Sequence, residues 1–201
     1  MKKTIFGMAA VAAIALSSFT GSRHSEVYKV DTTISTLEWF AEKLTGKHNG
    51  TLKISSGSII NDHGKLSGTM EVDMTSIACT DLDTVWGPKL VKHLKSEDFF
   101  NTAKYPTSKF VITSITPVTG VKEGGFTHNV KGNLTIKDKT NEISFDALIK
   151  SEGNKIVCIG TAVVDRSKFD VKYGSKSFFP EIGDKMIYDE FKLKFNIAAV
   201  K

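Results

Sequence analysis

Phe126-Thr127-His128-Asn129-Val130-Lys131-Gly132-Asn133-Leu134-Thr135-Ile136-Lys137 decides the fold class of this chain. Phe126, His128, Val130, Gly132, Leu134 and Ile136 alternate with Thr127, Asn129, Lys131, Asn133, Thr135 and Lys137. Successive side chains of a strand point to opposite faces, so a period of two held this long reads as a strand with one apolar face and one polar face. The same period returns elsewhere. Leu66, Gly68, Met70, Val72 and Met74 form one row, and Ile143, Phe145, Ala147 and Ile149 another. Phe191, Leu193, Phe195 and Ile197 alternate with Lys192, Lys194 and Asn196. Less strict strands are expected near 27–31, 35–43, 50–60, 107–117 and 155–165. Turn residues separate the rows: Asn61-Asp62-His63-Gly64, Glu123-Gly124-Gly125, Lys137-Asp138-Lys139 and Glu152-Gly153-Asn154. The reading is all-β, about nine strands, mostly joined by short hairpins.

Composition agrees. Ile, Val and Thr together number 52 of 201 residues, and β-branched side chains favour strands. With 24% charged and 40% apolar residues the chain is a folding one, and 16 Gly and 4 Pro exclude collagen-like and low-complexity classes. Two Cys exclude a disulfide-dense scaffold and a Cys-rich metal site. Lys plus Arg is 27 against 22 Asp plus Glu, a net +5. Without Lys2 and Lys3 the count is 25 against 22, and an excess of +3 spread along the chain does not indicate a nucleic-acid partner.

Those two Lys begin a leader. Met1-Lys2-Lys3, the apolar run Ile5 to Leu16 and the small residues Ser17, Ser18, Thr20, Gly21 and Ser22 match a secretory signal peptide over 1–22, cut somewhere in 17–22. The run is shorter than the roughly 20 residues a membrane-spanning helix needs. One domain over 23–201 is expected, exported to the periplasm or the exterior. Cys79 and Cys158 are then either a disulfide formed in an oxidising compartment or two small buried apolar side chains.

Long antiparallel strands with one apolar face either stack as two sheets or close into a barrel. Gly68, Gly132, Ala147 and Gly160 in the inward rows predict room inside. A membrane-spanning barrel is disfavoured, because the polar rows carry many Lys and no aromatic girdles group at the strand ends. Two inserts break the alternation. Between Asp81 and Tyr105 the spacing predicts a short helix with Pro88 in its first turn, then a second helix capped by Ser96 ahead of Glu97-Asp98. The other insert, Tyr173 to Gly183, contains Phe178-Phe179-Pro180. Both are placed to cap a barrel mouth.

Several stretches resemble the YceI-like family of exported, lipocalin-like, polyisoprenoid-binding proteins. They begin with Val30-Asp31 leading to Ser35, Leu37 and Trp39, with Ile34 where the family commonly has a His. Trp39-Phe40-Ala41-Glu42-Lys43-Leu44-Thr45-Gly46-Lys47-His48-Asn49-Gly50-Thr51 follows. The most specific is His93-Leu94-Lys95-Ser96-Glu97-Asp98-Phe99-Phe100 with Lys104-Tyr105-Pro106 and Phe110. Val130-Lys131-Gly132-Asn133-Leu134-Thr135-Ile136-Lys137 is similar to the family's Gly-x-Leu-Thr-Ile-Lys strand. The last is Asp165-Arg166-Ser167-Lys168-Phe169-Asp170-Val171-Lys172-Tyr173-Gly174, then Gly183-Asp184-Lys185 and a Lys-rich final strand. The Gly-x-Trp opening of true lipocalins is absent.

The resemblance implies an antiparallel eight-stranded barrel with extended edge strands and short helical inserts. It also implies an apolar tunnel for an isoprenoid or other long-chain lipid, such as a polyprenyl lipid or a quinone tail. No cofactor beyond that ligand is expected, and a homodimer is an open expectation. The expected lining is Trp39, Met70, Met74, Phe99, Phe100, Phe110, Ile112, Phe126, Val130, Leu134, Phe145, Phe178 and Phe191. If the lipid carries phosphate, Lys89, Lys92, Lys95, Arg166, Lys172 and Lys176 are the head-group candidates. No nucleophile–base motif marks an enzyme, and His48, His93 and His128 stand isolated, without metal-ligand spacing. The leading function is a lipid carrier or sequestering protein. An interaction protein with a filled barrel is the alternative, and an enzyme acting on a bound lipid is third.

Overall fold

The alternating rows become nine strands: β1 (Glu26–Val30), β2 (Thr36–Lys43), β3 (Gly46–Asp62), β4 (Lys65–Cys79), β5 (Thr107–Pro117), β6 (His128–Ile136), β7 (Lys139–Glu152), β8 (Lys155–Asp165) and β9 (Ile187–Val200). The structure, a computed structural model, describes residues 25–120, 122 and 124–201. The expected leader over 1–22 and Glu123 of the expected turn lie outside the described residues.

All pairings are antiparallel, and the order β3-β2-β9-β8-β7-β6-β5-β4 closes where β4 returns to β3. That is an eight-stranded barrel. β1 adds no ninth stave. It pairs with the far end of β3 (Lys29 opposite Ser58) and with the end of β9 (Lys29 opposite Val200). It therefore continues the place that β2 holds between the same two neighbours. The Asp31 side chain, accepting from the Thr33 amide at 2.9 Å, shapes the break between them.

The β3–β4 hairpin is the longest, with 17 and 15 residues. His63 and Gly64 take φ values of 55° and 86°, the two left-handed positions of a tight primed hairpin turn. Register shifts near Lys53 and Ser56 mark bulges that help to curve the sheet.

At one end of the barrel sits α1 (Trp86–Lys95). Its start is held by Asp83, whose carboxylate accepts from the amides of Val85 (2.9 Å) and Trp86 (2.8 Å). Pro88 falls in the first turn, where its missing N–H costs nothing. The expected second helix does not form. The Ser96 hydroxyl turns back to the His93 carbonyl (2.7 Å) and closes α1, so it is unavailable to cap anything ahead. Asn101, at φ 45°, then reverses the chain. The 3-10 turn Arg166–Phe169 packs at the same end, buried with Trp39, Ile77, Leu94, Phe99 and Val171. Tyr28, Ile59, Ile156 and Ala199 fill the opposite end.

The small inward residues act differently from expectation. A Cβ at Gly132 would lie 2.4 Å from the Phe110 ring, and one at Gly160 2.7 Å from the Phe195 ring. Aromatic rings lie over these glycines, so their space belongs to the wall and not to a ligand. Gly50 serves a third close approach. A Cβ there would meet the Ala78 carbonyl oxygen, which is also the acceptor, at 3.0 Å, for the Trp39 indole N–H. Gly50→Ala is therefore expected to lower stability by about 2–3 kcal/mol through forced overpacking. Gly46→Ala, whose Cβ meets only the Lys43 stem at 3.8 Å, is expected to stay within about 0.5 kcal/mol. Urea unfolding of both variants checks this, and equal midpoints would remove the role assigned to Gly50.

Candidate functional site

The inward rows of eight strands face one another across the barrel and do not fill it. Two chambers remain, of about 120 Å³ and 100 Å³. The first is walled by residues of all nine strands. Met70, Phe110, Ile112, Val130, Leu134 and Phe145, all expected lining residues, face it. Val30, Ile59, Ile115, Ile149, Ile156, Cys158, Phe195 and Ile197 complete much of its wall. Its polar lining is Ser58, Thr69, Ser108 and Lys109. The second lies toward α1. Trp39, Met74, Phe99, Phe100, Leu134 and Phe191 face it as expected, with Ala41, Leu52, Ile77, Leu94 and Ile136. Leu37, Val72, Ser108, Leu134 and Leu193 border both chambers and form a waist between them.

Two expected lining residues lie elsewhere. Phe126 precedes β6 and is 50% exposed, because the strand begins at His128 and the alternation before it runs into a loop. Phe178 is 38% exposed and sits beside Lys172, whose Nζ lies 5.3 Å from its ring centre. Neither faces a chamber. Sequence reasoning missed Leu37, Val72, Leu193 and Phe195. Val72, Leu193 and Phe195 stand in the same alternating rows as Met70 and Phe191, so a signal for them existed.

The head-group candidates do not converge on the interior. Arg166 is buried and lines the second chamber, but four of its N–H groups donate to backbone carbonyls. Nε donates to the Tyr188 carbonyl (3.2 Å), Nη1 to those of Val171 (3.0 Å) and Tyr173 (2.7 Å), and Nη2 to that of Ile187 (3.1 Å). Asp189 lies 3.3 Å from Nη2. Burial pulls the guanidinium below its ordinary pKa, and Asp189 and Asp165 oppose that. Arg166 is thus a clamp on the chain around Val171–Tyr173 and the start of β9, not a free cation. Lys89 lies over the exposed Trp86 ring at 4.3 Å, and Lys92 and Lys95 share α1 with it. Lys172 pairs with Asp170 at 2.9 Å, and Lys176 is exposed. None of these five lysines lines a chamber.

Between the second chamber and the surface stands an aromatic partition. Phe99 faces the chamber, while Tyr173 faces a surface hollow shared with Lys137, Lys172 and Lys185. The two rings lie 5.3 Å apart, and His93 meets each edge-on.

Both thiols are free. Burial pushes the Cys158 thiol up to about 12. Cys79 is raised as well, by burial and then by Asp81, to whose carboxylate it donates at 3.2 Å. His48 bonds that same Asp81 at 2.9 Å, so the imidazole is tied to the carboxylate and not to the thiol. Among the described residues no three His, Cys, Asp or Glu converge to hold a metal, and no helix is long and apolar enough to cross a membrane.

A family model described as the YceI-like domain matches residues 28–199. The protein YceI of Escherichia coli O157:H7 is 34% identical over 105 residues, 52% of this chain. The chain spans about half the length of the curated relatives it matches, 50% in that case. Among solved structures, Burkholderia cenocepacia BcnA superposes with a TM-score of 0.65 at 24% identity, over 85% of this chain and 99% of that one. A polyisoprenoid-binding domain from Saccharophagus degradans, implicated in plant cell wall breakdown, superposes at 0.58 and 16% identity, over 86% and 97%. Both share the fold.

Cys158, half-buried on the wall of the first chamber, carries a pH consequence. The folded chain keeps this thiol protonated up to about pH 12, whereas the unfolded thiol ionises near 9. Between those values the native state binds more protons, so stability falls as pH rises from about 9. In Cys158→Ala the decline of unfolding free energy above pH 9 is expected to be shallower. Equal slopes in the two proteins would show that the thiol is accessible and titrates normally.

Proposed function

The chain belongs to the YceI-like family, and from that we propose that it holds an isoprenoid or similar long-chain lipid inside its barrel, as a carrier or sequestering protein. The observation that carries this reading is the pair of apolar chambers joined at a waist. An isoprenoid tail has no charge along its length, so its site needs length and apolar lining rather than polar readout. Chambers of about 120 Å³ and 100 Å³ leave room for a limited number of five-carbon units. Each unit gains at most about 4 kcal/mol from burial, at about 0.8 kcal/mol per methylene. Ordering the flexible chain offsets much of that gain.

The fold shared with a polyisoprenoid-binding domain supports the same ligand class. Membership in a family of binding proteins supports binding over catalysis. The signal-peptide pattern expected from the sequence over 1–22 supports export to the periplasm or the exterior, where a lipid in transit needs cover from water. The alternative of a barrel filled by its own side chains is disfavoured by the space left between them.

The test is native mass spectrometry of purified protein, before and after organic extraction, followed by loading with prenyl alcohols of graded length. Affinity is expected to rise with tail length and then level off, because further carbons find no chamber. Met70→Trp, which narrows the first chamber, is expected to shift that plateau to shorter tails. Phe126→Ala and Phe178→Ala are expected to leave it in place. A folded protein that takes up no prenyl alcohol or fatty acid would overturn the reading.

A further inference from the structure

The inward row of β5 reads Ser108, Phe110, Ile112, and its first member breaks the apolar wall. Ser108 is 5% exposed, and its Oγ has no hydrogen-bond partner in the protein. Buried hydroxyls are paired as a rule, so an unpartnered one asks for an explanation. Its place supplies one. Ser108 borders both chambers at the waist, opposite Val72 in the β4–β5 ladder. The strand pairing engages its backbone only and leaves the side chain directed at the space between the chambers.

Ser58 and Thr69 face the first chamber only and not the waist, and the cationic and indole groups are committed. The Arg166 guanidinium donates to four carbonyls and is paired in charge with Asp189, and the Trp39 indole N–H serves the Ala78 carbonyl. Lys109, half-exposed, pairs with Glu71 at 3.5 Å. A charged group at the waist would thus meet no uncommitted cation and would lose its hydration without compensation. A neutral oxygen meets a hydroxyl able both to donate and to accept.

We propose that Ser108 Oγ is the recognition point for a neutral oxygen of the bound lipid, an alcohol or a carbonyl, held at the waist with its apolar tail in a chamber. The proposal rests on the interior being a lipid site and narrows the ligand class: not a bare hydrocarbon and not a lipid whose charged head is buried.

The test compares geraniol, whose ten carbons suit one chamber, with the ten-carbon hydrocarbon of the same skeleton, each displacing a fluorescent apolar probe from the delipidated protein. The parent protein is expected to favour the alcohol about threefold to tenfold, the range of one hydrogen bond. Ser108→Ala is expected to bring the two ligands level by weakening the alcohol alone. The ligand-free Ser108→Ala variant is expected to melt at or above the parent temperature, since it loses a hydroxyl that nothing in the protein satisfies. If both ligands bind and the substitution leaves their ratio unchanged, the Ser108 site is overturned while the lipid site stands. A ligand-free variant that melts several degrees lower, or does not fold, overturns it too, because the hydroxyl then has a structural partner. If neither ligand binds the parent protein, the lipid reading itself falls.

Discussion

Closure of the sheet by β3 against β4 is the constraint on which the rest of the molecule depends. An open sheet of this length leaves unpaired edges and one apolar face in water. Closing it removes the edges and turns every inward row toward the others. It also sets the circumference at eight strands, a width near the limit that side chains fill alone. The chambers follow from that width and from the residues that happen to face it. The hairpin achieves closure through its tight turn at His63-Gly64, its bulges and the close crossing at Gly50, where Trp39 bonds across to β4.

The interior is shaped by how aromatic rings lie along the wall. Phe110, Phe145 and Phe195 form a chain with ring centres 5.7 Å and 5.2 Å apart, and the outer two cover Gly132 and Gly160. Rings lying flat on the wall take less of the centre than rings standing across it. The two ends are closed by different means. One end has the small apolar plug around Tyr28. The other has α1 and the chain around Val171–Tyr173, held by the Arg166 guanidinium through four carbonyls and the nearby Asp189. A buried cation with four carbonyl acceptors and a carboxylate beside it is tolerable, whereas removing them would leave an uncompensated charge.

Much of the fold was legible in the sequence. The strands from Leu66, Phe126, Ile143 and Phe191 announced themselves by period, and the hairpin turns by Gly, Asn and Asp. The helix around Leu90 was visible, but its expected successor at Ser96 was not real. A Ser ahead of Glu-Asp has the same spelling whether its hydroxyl points forward to cap a helix or back to end one. The lining was partly legible for the same reason. Met70, Phe110, Leu134 and Phe191 lie in alternating rows, and a row inside a closed barrel faces the centre. Phe126 and Phe178 sit outside strands, where the rule has no force. Gly132 and Gly160 were read as room, although the rings that cover them are contributed by neighbouring strands and cannot be assigned from the strand's own residues.

The sequence by itself determined the strands and the helix around Leu90, the apolar and polar faces of the strands and the family, because these rest on local periodicity and on motifs in order. The tertiary structure alone decided which strands meet, that β1 extends β2 rather than adding a stave, and that Arg166 is a clamp. It also decided that Ser108, one Ser among many in the sequence, stands without a partner where two apolar chambers join. Hydrogen-bond satisfaction and empty space are properties of groups distant in the chain, and only folding brings those groups to a common place.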